Sequence, residues 1–188
     1  MKGTDPLELY TPRLVLREFR PGDFDAVREY ESRAETHRYE KVIIPSEEDT
    51  HRYLTESMAW AKQAPRTRYR LAITIRPNDE ARGRISLLPT FPKIREWEIG
   101  WTVDWRIWGR GYATEAALDM LAFAFAALGA HRVVAFCNAN NHASARVMEK
   151  IGMQRDGHLR ETLWWNGAWT DEFVYSILER EWEGPKPL

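Results

Sequence analysis

Apolar and polar residues alternate with a period of two along several stretches of the chain, which predicts half-buried β-strands. Near the C-terminus, Asn166 and Gly167 form a pair that favours a two-residue hairpin turn between two of them. A short apolar run after position 131 predicts a buried strand. The predicted strands are residues 13–19, 69–76, 83–91, 97–104, 132–137, 158–165 and 168–178.

Four helices are predicted between these strands, at residues 21–33, 46–63, 112–128 and 141–152. A capping box of Ser46 and Asp49 opens the second helix, and Asn140 or Asn141 caps the fourth. The third helix joins strand 97–104 to strand 132–137. These two strands are therefore expected to be parallel neighbours linked by a right-handed crossover.

Residues 97–108 fit both periods, because their four tryptophans fall at helical spacing while alternate residues from Trp97 to Val103 fall at strand spacing. The β-branched residues and the interior Gly100 favour a strand. That strand places Glu98, Gly100 and Thr102 on the face opposite the tryptophans. Trp97, Trp101 and Trp105 are then expected in the core or an interface, and Trp164, Trp165 and Trp169 at the mouth of a binding site or at a dimer contact.

The composition is that of a globular chain, expected to be one domain over residues 1–188, since 44% of the residues are hydrophobic and 29% are charged. With 27 basic and 28 acidic residues the net charge is −1, which argues against a nucleic-acid partner. Cys137 is the single cysteine, so no internal disulfide can form. The longest apolar run, residues 120–128, is too short to span a membrane, and we expect a cytoplasmic protein.

Residues 97–113 predict a strand, a glycine-rich turn and the start of a helix, an arrangement that directs backbone N–H groups at an anion. A phosphate or pyrophosphate is the favoured ligand, with a plain strand-to-helix turn as the alternative. A dinucleotide fingerprint fits poorly, because Thr114 stands where a third small residue is needed. The chain also has no Gly-Lys-Ser/Thr phosphate loop.

Four sequence blocks in order resemble the GNAT superfamily of acyl-CoA N-acyltransferases, and within it the RimJ/RimL-like branch of protein N-terminal acetyltransferases. They read TPRLVLREFRPGDFDAV, EIGWTVDWRIWGRGYATEA, NNHASARVMEKIGM and NGAWTDEFVYSIL. The resemblance covers about residues 11–182. It implies an α+β fold with a mixed, mainly antiparallel sheet flanked by helices and splayed between strands 97–104 and 132–137. It also implies acetyl-CoA as co-substrate, an amine acceptor and no metal.

The resemblance implies which residues hold coenzyme A. The family's phosphate signature fits in two registers, one from Arg106 to Gly111 and one from Trp108 to Ala113, and the second matches the position of the strand and helix. The pantetheine arm would pair with the strand backbone, as an added strand would. The implied coenzyme A residues are Trp101, Val103, Trp108, Gly109, Arg110, Gly111, Tyr112, Ala113, Thr114, Asn138, Asn141 and Ser144.

Two residues are candidates for catalysis. Glu98 matches a glutamate of the RimJ/RimL-like branch and is the candidate general base, directly or through a water. Many family members have a tyrosine that protonates the leaving thiolate where this chain has Met148, and a thioether cannot donate a proton. Ser144 or a water is the expected substitute.

Several alternatives stay open from the sequence. The acceptor is expected to be the α-amine of a protein or peptide, with an aminoglycoside, a polyamine or another small amine as the alternative. A non-catalytic acyl-CoA binding module and a nicotinamide-dependent oxidoreductase are other classes. The five histidines lack the spacing of metal ligands. Cys137 is expected to pack in an apolar strand. A homodimer is an open alternative.

Overall fold

The computed structural model describes residues 6–39, 45–165 and 167–184. Within these ranges the chain forms eight strands and four α-helices. The strands are β1 (Glu8–Tyr10), β2 (Leu14–Glu18), β3 (Tyr69–Ile75), β4 (Ala81–Phe91), β5 (Glu96–Val103), β6 (Arg132–Asn138), β7 (Gln154–Trp165) and β8 (Ala168–Leu178). The helices are α1 (Phe24–Glu31), α2 (Glu47–Ala61), α3 (Tyr112–Ala126) and α4 (His142–Lys150).

All eight strands form one sheet in the order β1-β2-β3-β4-β5-β6-β8-β7. The pair β5 and β6 is parallel, and the other neighbours are antiparallel. The mixed, mainly antiparallel sheet and its flanking helices confirm the predicted fold class. The parallel pairing across α3 confirms the strand relation expected from the element order.

Some element bounds differ from the prediction for physical reasons. Strand β1 was not predicted, because three residues are too few to show a period. Strand β7 begins at Gln154 instead of 158, since a register shift between Arg155 and Gly157 interrupts its alternation. The first helix is shorter than predicted, a 3₁₀ turn at Pro21–Asp23 followed by α1. Asn166 of the predicted hairpin turn lies outside the described residues.

Two apolar clusters lie on opposite faces of the sheet. Leu71 and Ile73 of β3 join the main core with α3, whereas Ala72 between them joins a smaller cluster with α1 and α2. Neighbouring residues of a strand point to opposite faces, so α3 covers one face and α1 and α2 cover the other. Within the described ranges, no helix is long and apolar enough to cross a bilayer.

Strands β5 and β6 separate after a short parallel segment. Their register pairs Glu96–Glu98 with residues 132–134 and ends there. The rest of β5 stays paired with β4, and the rest of β6 stays paired with β8. A slot therefore opens between the later residues of β5 and β6, as expected from the sequence.

Candidate active site

The edge of β5 that faces the slot is set by its pairing with β4. The Asp104 N–H donates to the Arg82 carbonyl over 2.9 Å, and Thr102 lies opposite Arg84. In an antiparallel pair, hydrogen-bonded residues alternate, so the even-numbered residues of β5 bond to β4. The N–H and C=O groups of Trp101 and Val103 therefore face the slot.

One of these backbone groups is already engaged. The Trp108 indole Nε1 donates to the Val103 carbonyl over 2.7 Å. This bond fixes the tryptophan ring where the slot meets the glycine-rich turn. The N–H and C=O of Trp101 and the N–H of Val103 make the slot-facing edge that an extended ligand could pair with.

The glycine-rich turn ends at the N-terminus of α3. Gly109 and Gly111 have φ values of 74° and 81°, which L side chains rarely adopt. Gly111 is the N-cap residue, and no side chain caps this helix end. The first N–H groups of α3, at Tyr112, Ala113 and Thr114, have no carbonyl partner within the helix, and the helix dipole adds positive potential there. This geometry suits a pyrophosphate.

Arg13 and Glu115 hold the turn against the first strands. The Arg13 guanidinium donates to the Arg110 carbonyl over 3.0 Å and lies over the Tyr112 ring. The buried Glu115 carboxylate accepts from the Thr11 hydroxyl at 2.6 Å and from the Arg13 backbone and side chain at 2.8 and 2.6 Å. Burial acts to raise the pKa of Glu115, but these hydrogen bonds outweigh it and leave the pKa lowered.

The structure also separates the two signature registers. Arg106 lies in a 3₁₀ turn before the glycines, where its side chain binds the buried Asp104 and also pairs with Glu29 of α1. Gly111, not Gly109, is the N-cap of α3. The Arg106 side chain is thus already paired with Asp104 and Glu29. The signature register from Trp108 to Ala113 is the one that coincides with the start of α3.

Glu98 lies where the slot begins. It is half-buried and forms the last parallel pair, with Val134 of β6. Ile99 and Val103 belong to the main core, so Glu98 points to the opposite face, as the alternation predicted. The carboxylate therefore belongs to the face covered by α1 and α2, beside the point where the two strands part.

Polar residues lie on the same face as Glu98, farther along the strands, whereas Leu88 is its direct neighbour on β4. The β4 residues Arg84 and Ser86 lie opposite Thr102 and Gly100, and Arg70 of β3 lies opposite Ser86. Arg84 donates through Nε to the buried Glu31 of α1 at 2.8 Å. Sequence reasoning missed these arginines, because they are far apart in sequence and only the strand register brings them together.

The far wall of the slot leads from β6 into α4. The Asn138 carboxamide accepts from the Asn140 N–H at 2.9 Å, and Asn141 caps α4 by accepting from the Ser144 N–H at 3.1 Å. Ser144 is half-buried in the first turn of the helix. Met148 packs in the main core with 1% exposure, which leaves Ser144 as the hydroxyl of the first turn that could serve this wall.

The sequence also singles out a cysteine and tryptophans other than those at the slot. Cys137 is buried in the core, and burial raises the pKa of its thiol to about 11, so it stays protonated. Trp105 was expected in the core or an interface. It is 40% exposed and so lies outside the core, because the chain leaves the strand alternation after Val103, and the interface stays a prediction. The Trp164 and Trp169 rings are exposed and meet edge-to-face near the β7–β8 turn. The side chain of Trp165 lies outside the described residues.

Outside the slot between β5 and β6, the described ranges contain a cleft but no metal-binding cluster. In those ranges no group of three or more His, Cys, Asp or Glu side chains is placed to hold a metal ion. A cleft of about 250 Å³ lies at the C-terminal end of α4, between Gly152 and Trp182. Its lining includes none of the candidate site residues.

Residues 13–154 match the Acetyltransferase (GNAT) domain family, which is more than half of the chain. The chain belongs to the GNAT acetyltransferase family. It is 33% identical over 176 residues to the uncharacterized N-acetyltransferase YnaD of Bacillus subtilis, covering 94% of this chain and 99% of YnaD. The crystal structure of a GNAT-family acetyltransferase from Bacillus anthracis shares 31% identity with a TM-score of 0.82, over 93% of this chain and 100% of that one.

A more distant GNAT structure shows the shared fold alone. The spermidine N-acetyltransferase from Vibrio cholerae, solved in complex with CoA and spermine, has 18% identity and a TM-score of 0.78, covering 91% of this chain and 98% of that one. Membership in the family makes this protein an acetyl-CoA-dependent N-acetyltransferase. It thereby removes the nicotinamide-dependent alternative.

The slot suits acetyl-CoA on its own geometry. Gly111 in the left-handed conformation frees the first N–H groups of α3 for an anion, and a Cβ there would come within 3.4 Å of the Arg13 guanidinium. The unpaired edge of β5 offers an extended arm the backbone partners that β6 no longer supplies.

Proposed function

We propose that this GNAT acetyltransferase acetylates the α-amine at the N-terminus of a protein or peptide. The observation that carries the proposal is the position of Glu98, a half-buried carboxylate at the point where the slot opens. The four sequence blocks that resemble the RimJ/RimL-like branch support the same acceptor. The relative solved with spermine, by contrast, is named for a polyamine.

Amine chemistry favours the same acceptor. Only a neutral amine can attack the thioester, and at pH 7 an α-amine of pKa about 8 is roughly 10% neutral. A lysine side chain of pKa about 10.4 is roughly 0.04% neutral at the same pH. An α-amine therefore needs less help from a base, and a single carboxylate acting directly or through a water is enough.

In the proposed reaction, the neutral acceptor amine attacks on the face covered by α1 and α2, and Glu98 takes one proton from its nitrogen as the carbon–nitrogen bond forms. The amine nitrogen bonds to the thioester carbonyl carbon, and the resulting oxyanion accepts a hydrogen bond from a backbone N–H of β5 at Ile99 or Trp101. Collapse of this intermediate breaks the carbon–sulfur bond. The products are the amide and the coenzyme A thiolate.

The leaving thiolate is protonated by Ser144 or a water in this proposal. Ser144 lies in the first turn of α4, where the helix dipole also favours negative charge. Trp108, Gly109, Arg110 and the first N–H groups of α3 hold the pyrophosphate. Trp101, Val103, Asn138 and Asn141 border the pantetheine arm. The expected cytoplasmic location and a homodimer stay predictions.

The test is thiol release from acetyl-CoA with three acceptors measured side by side. They are a peptide with a free N-terminus and no lysine, an N-blocked peptide with one lysine, and a mixture of aminoglycosides and polyamines. Release with the first peptide alone supports α-amine acetylation. Release only with the small amines would overturn it, and a mass shift of 42 Da on the peptide N-terminus checks the product.

A further inference from the structure

Arg70 occupies an unusual place on the face that carries Glu98. Its guanidinium carbon lies 4.2 Å from the Tyr53 ring centroid and 4.0 Å from that of Trp60, both on α2. Its side chain is only 15% exposed. The flat faces of the two rings hold the guanidinium in place without using its N–H groups.

Among the described residues, these N–H groups have few partners. Arg70 Nη1 donates to the Ser57 hydroxyl at 3.2 Å, and the nearest described carboxylate, on the half-exposed Glu56, is 3.9 Å away. A guanidinium has five N–H donors and favours bidentate binding to a carboxylate or phosphate. Arg84, in contrast, is bonded to the buried Glu31. Arg70 is thus a nearly buried cation without a hydrogen-bonded anion among the described residues.

A second donor lies beside it. The Tyr53 hydroxyl is buried and makes no hydrogen bond of standard geometry within the described ranges, although the Arg84 guanidinium also lies near this ring, 5.4 Å from its centroid. Burial raises the pKa of Tyr53 to about 12, so the hydroxyl keeps its proton at neutral pH. A buried polar group without a partner is costly, and an anion accepted between Arg70 and Tyr53 would satisfy both.

Small residues connect this place to Glu98. Arg70, Ser86 and Gly100 lie in one row across β3, β4 and β5, and Glu98 is two residues before Gly100 on the same face. Strand spacing and rise put the Cα atoms of Arg70 and Glu98 about 12 Å apart. A Cβ added at Gly100 would meet nothing closer than the Ser86 hydroxyl at 3.6 Å, so the row carries only small side chains between Arg70 and Glu98.

We propose that Arg70, with Tyr53, binds a carboxylate of the acceptor while its α-amine lies at Glu98. An extended peptide advances about 3.3 to 3.6 Å per residue, so an acidic side chain at its second or third position lies about 7 to 12 Å from the α-amine. The acceptor class is therefore a peptide N-terminus followed closely by Asp or Glu. This inference rests on the proposed function, and it disfavours polycations.

The experiment compares kcat/KM for free-N-terminus peptides that differ only at positions two and three. One set carries Asp or Glu there, one carries Asn or Gln, and one carries Lys. With the wild-type enzyme we expect the acidic peptides to exceed the amide peptides by tenfold or more. The lysine peptides are expected to be the poorest acceptors.

Arg70→Gln should reduce the ratio of acidic to amide peptides to below about threefold, and Arg70→Lys should restore part of it. Arg68→Gln is the matched control, because Arg68 also lies over the Trp60 ring but is exposed. It should leave the ratio within twofold of wild type. Since the ratio is measured on folded enzyme, a purely structural role for Arg70 would lower both rates and leave the ratio unchanged.

The outcomes separate this inference from the proposed function. Equal rates for acidic and amide peptides would overturn the role of Arg70 and leave α-amine acetylation standing. Acetylation of a small amine that carries a carboxylate, with no peptide acetylated, would overturn the proposed function but support the anion site if Arg70→Gln abolishes it. Acetylation of polyamines alone would overturn both.

Discussion

The two faces of β5 carry different constraints on one backbone. On the α3 side, Ile99 and Val103 are packed into the main core. On the other side, Glu98 and Gly100 face the row of Arg70 and Ser86. Alternate positions of the strand therefore serve different purposes. Substitutions on the core face should lower the thermal stability and leave turnover intact, whereas substitutions on the other face should lower turnover and leave stability intact.

The two edges of β5 differ in the same way. One edge is paired with β4 along the whole strand, whereas the other is paired with β6 only as far as Glu98. The paired edge holds the strand in the sheet. The open edge leaves backbone groups at Trp101 and Val103 for a ligand, so part of the site consists of main chain that no side-chain substitution can remove.

The largest effect on the chemical face is expected from Glu98→Gln. Loss of a general base should lower kcat by about 10² to 10⁴, while the affinity for acetyl-CoA stays within twofold of wild type. Stopped-flow or steady-state thiol release measures kcat, and calorimetry measures acetyl-CoA binding. The exposed Glu35→Gln is the control. Unchanged turnover in Glu98→Gln would remove Glu98 from catalysis.

On the core face, Ile99→Ala should act on stability. Ile99 is 2% exposed, and truncation of such a side chain costs about 2 to 5 kcal/mol. For a domain of this size that lowers Tm by roughly 4 to 20 °C. The kcat/KM of the folded variant, measured well below its Tm, is expected within threefold of wild type. A large loss of activity without loss of Tm would contradict the division between faces.

Gly100 tests whether the acceptor lies along the row between Arg70 and Glu98. Gly100→Val adds a branched side chain to that row and should lower kcat/KM for the acceptor by about 10 to 100-fold, because small displacements of a reacting group are costly. Gly100→Ala should have a smaller effect in the same direction. Acetyl-CoA affinity and Tm should change little in both variants. Normal acceptor kinetics in Gly100→Val would place the acceptor elsewhere.

Much of the fold could be predicted from local pattern. The alternation around Ile99 predicted both the strand and the face that carries Glu98, and the capping box of Ser46 and Asp49 lies where predicted, at the start of α2. The strand, glycine turn and helix at Gly111 likewise follow from local spacing. Each of these features depends on residues that are close together in the sequence.

The long-range polar contacts could not be predicted in this way. Arg13 and Glu115 are 102 residues apart, and nothing in their local pattern indicates that they bind. Arg70 faces α2 because of the register of β3 with β4, which a single sequence does not specify. The exposure of Trp105 was also missed, because the chain leaves β5 after Val103 and turns at this residue.

Glu115 is a buried charged residue on the mainly apolar side of the sheet that α3 covers. Its charge makes the stability contributed by this side dependent on pH. Glu115→Gln keeps the shape but weakens the bonds from Thr11 and Arg13, and should cost about 1 to 2 kcal/mol at pH 7. Because the folded-state pKa of Glu115 is lowered, this contribution is complete above its unfolded pKa of about 4.3 and is lost as the pH falls through the folded value.

The Tm difference between wild type and Glu115→Gln, roughly 2 to 8 °C at pH 7, should therefore shrink below about pH 4. Thermal unfolding followed by circular dichroism from pH 3 to pH 8 measures it, with Glu35→Gln as the exposed control. A difference that stays constant across this range would mean that the charge of Glu115 contributes nothing and that the variant loses only a hydrogen-bond acceptor. The glycine turn would then owe its position to packing and not to the Arg13 ion pair.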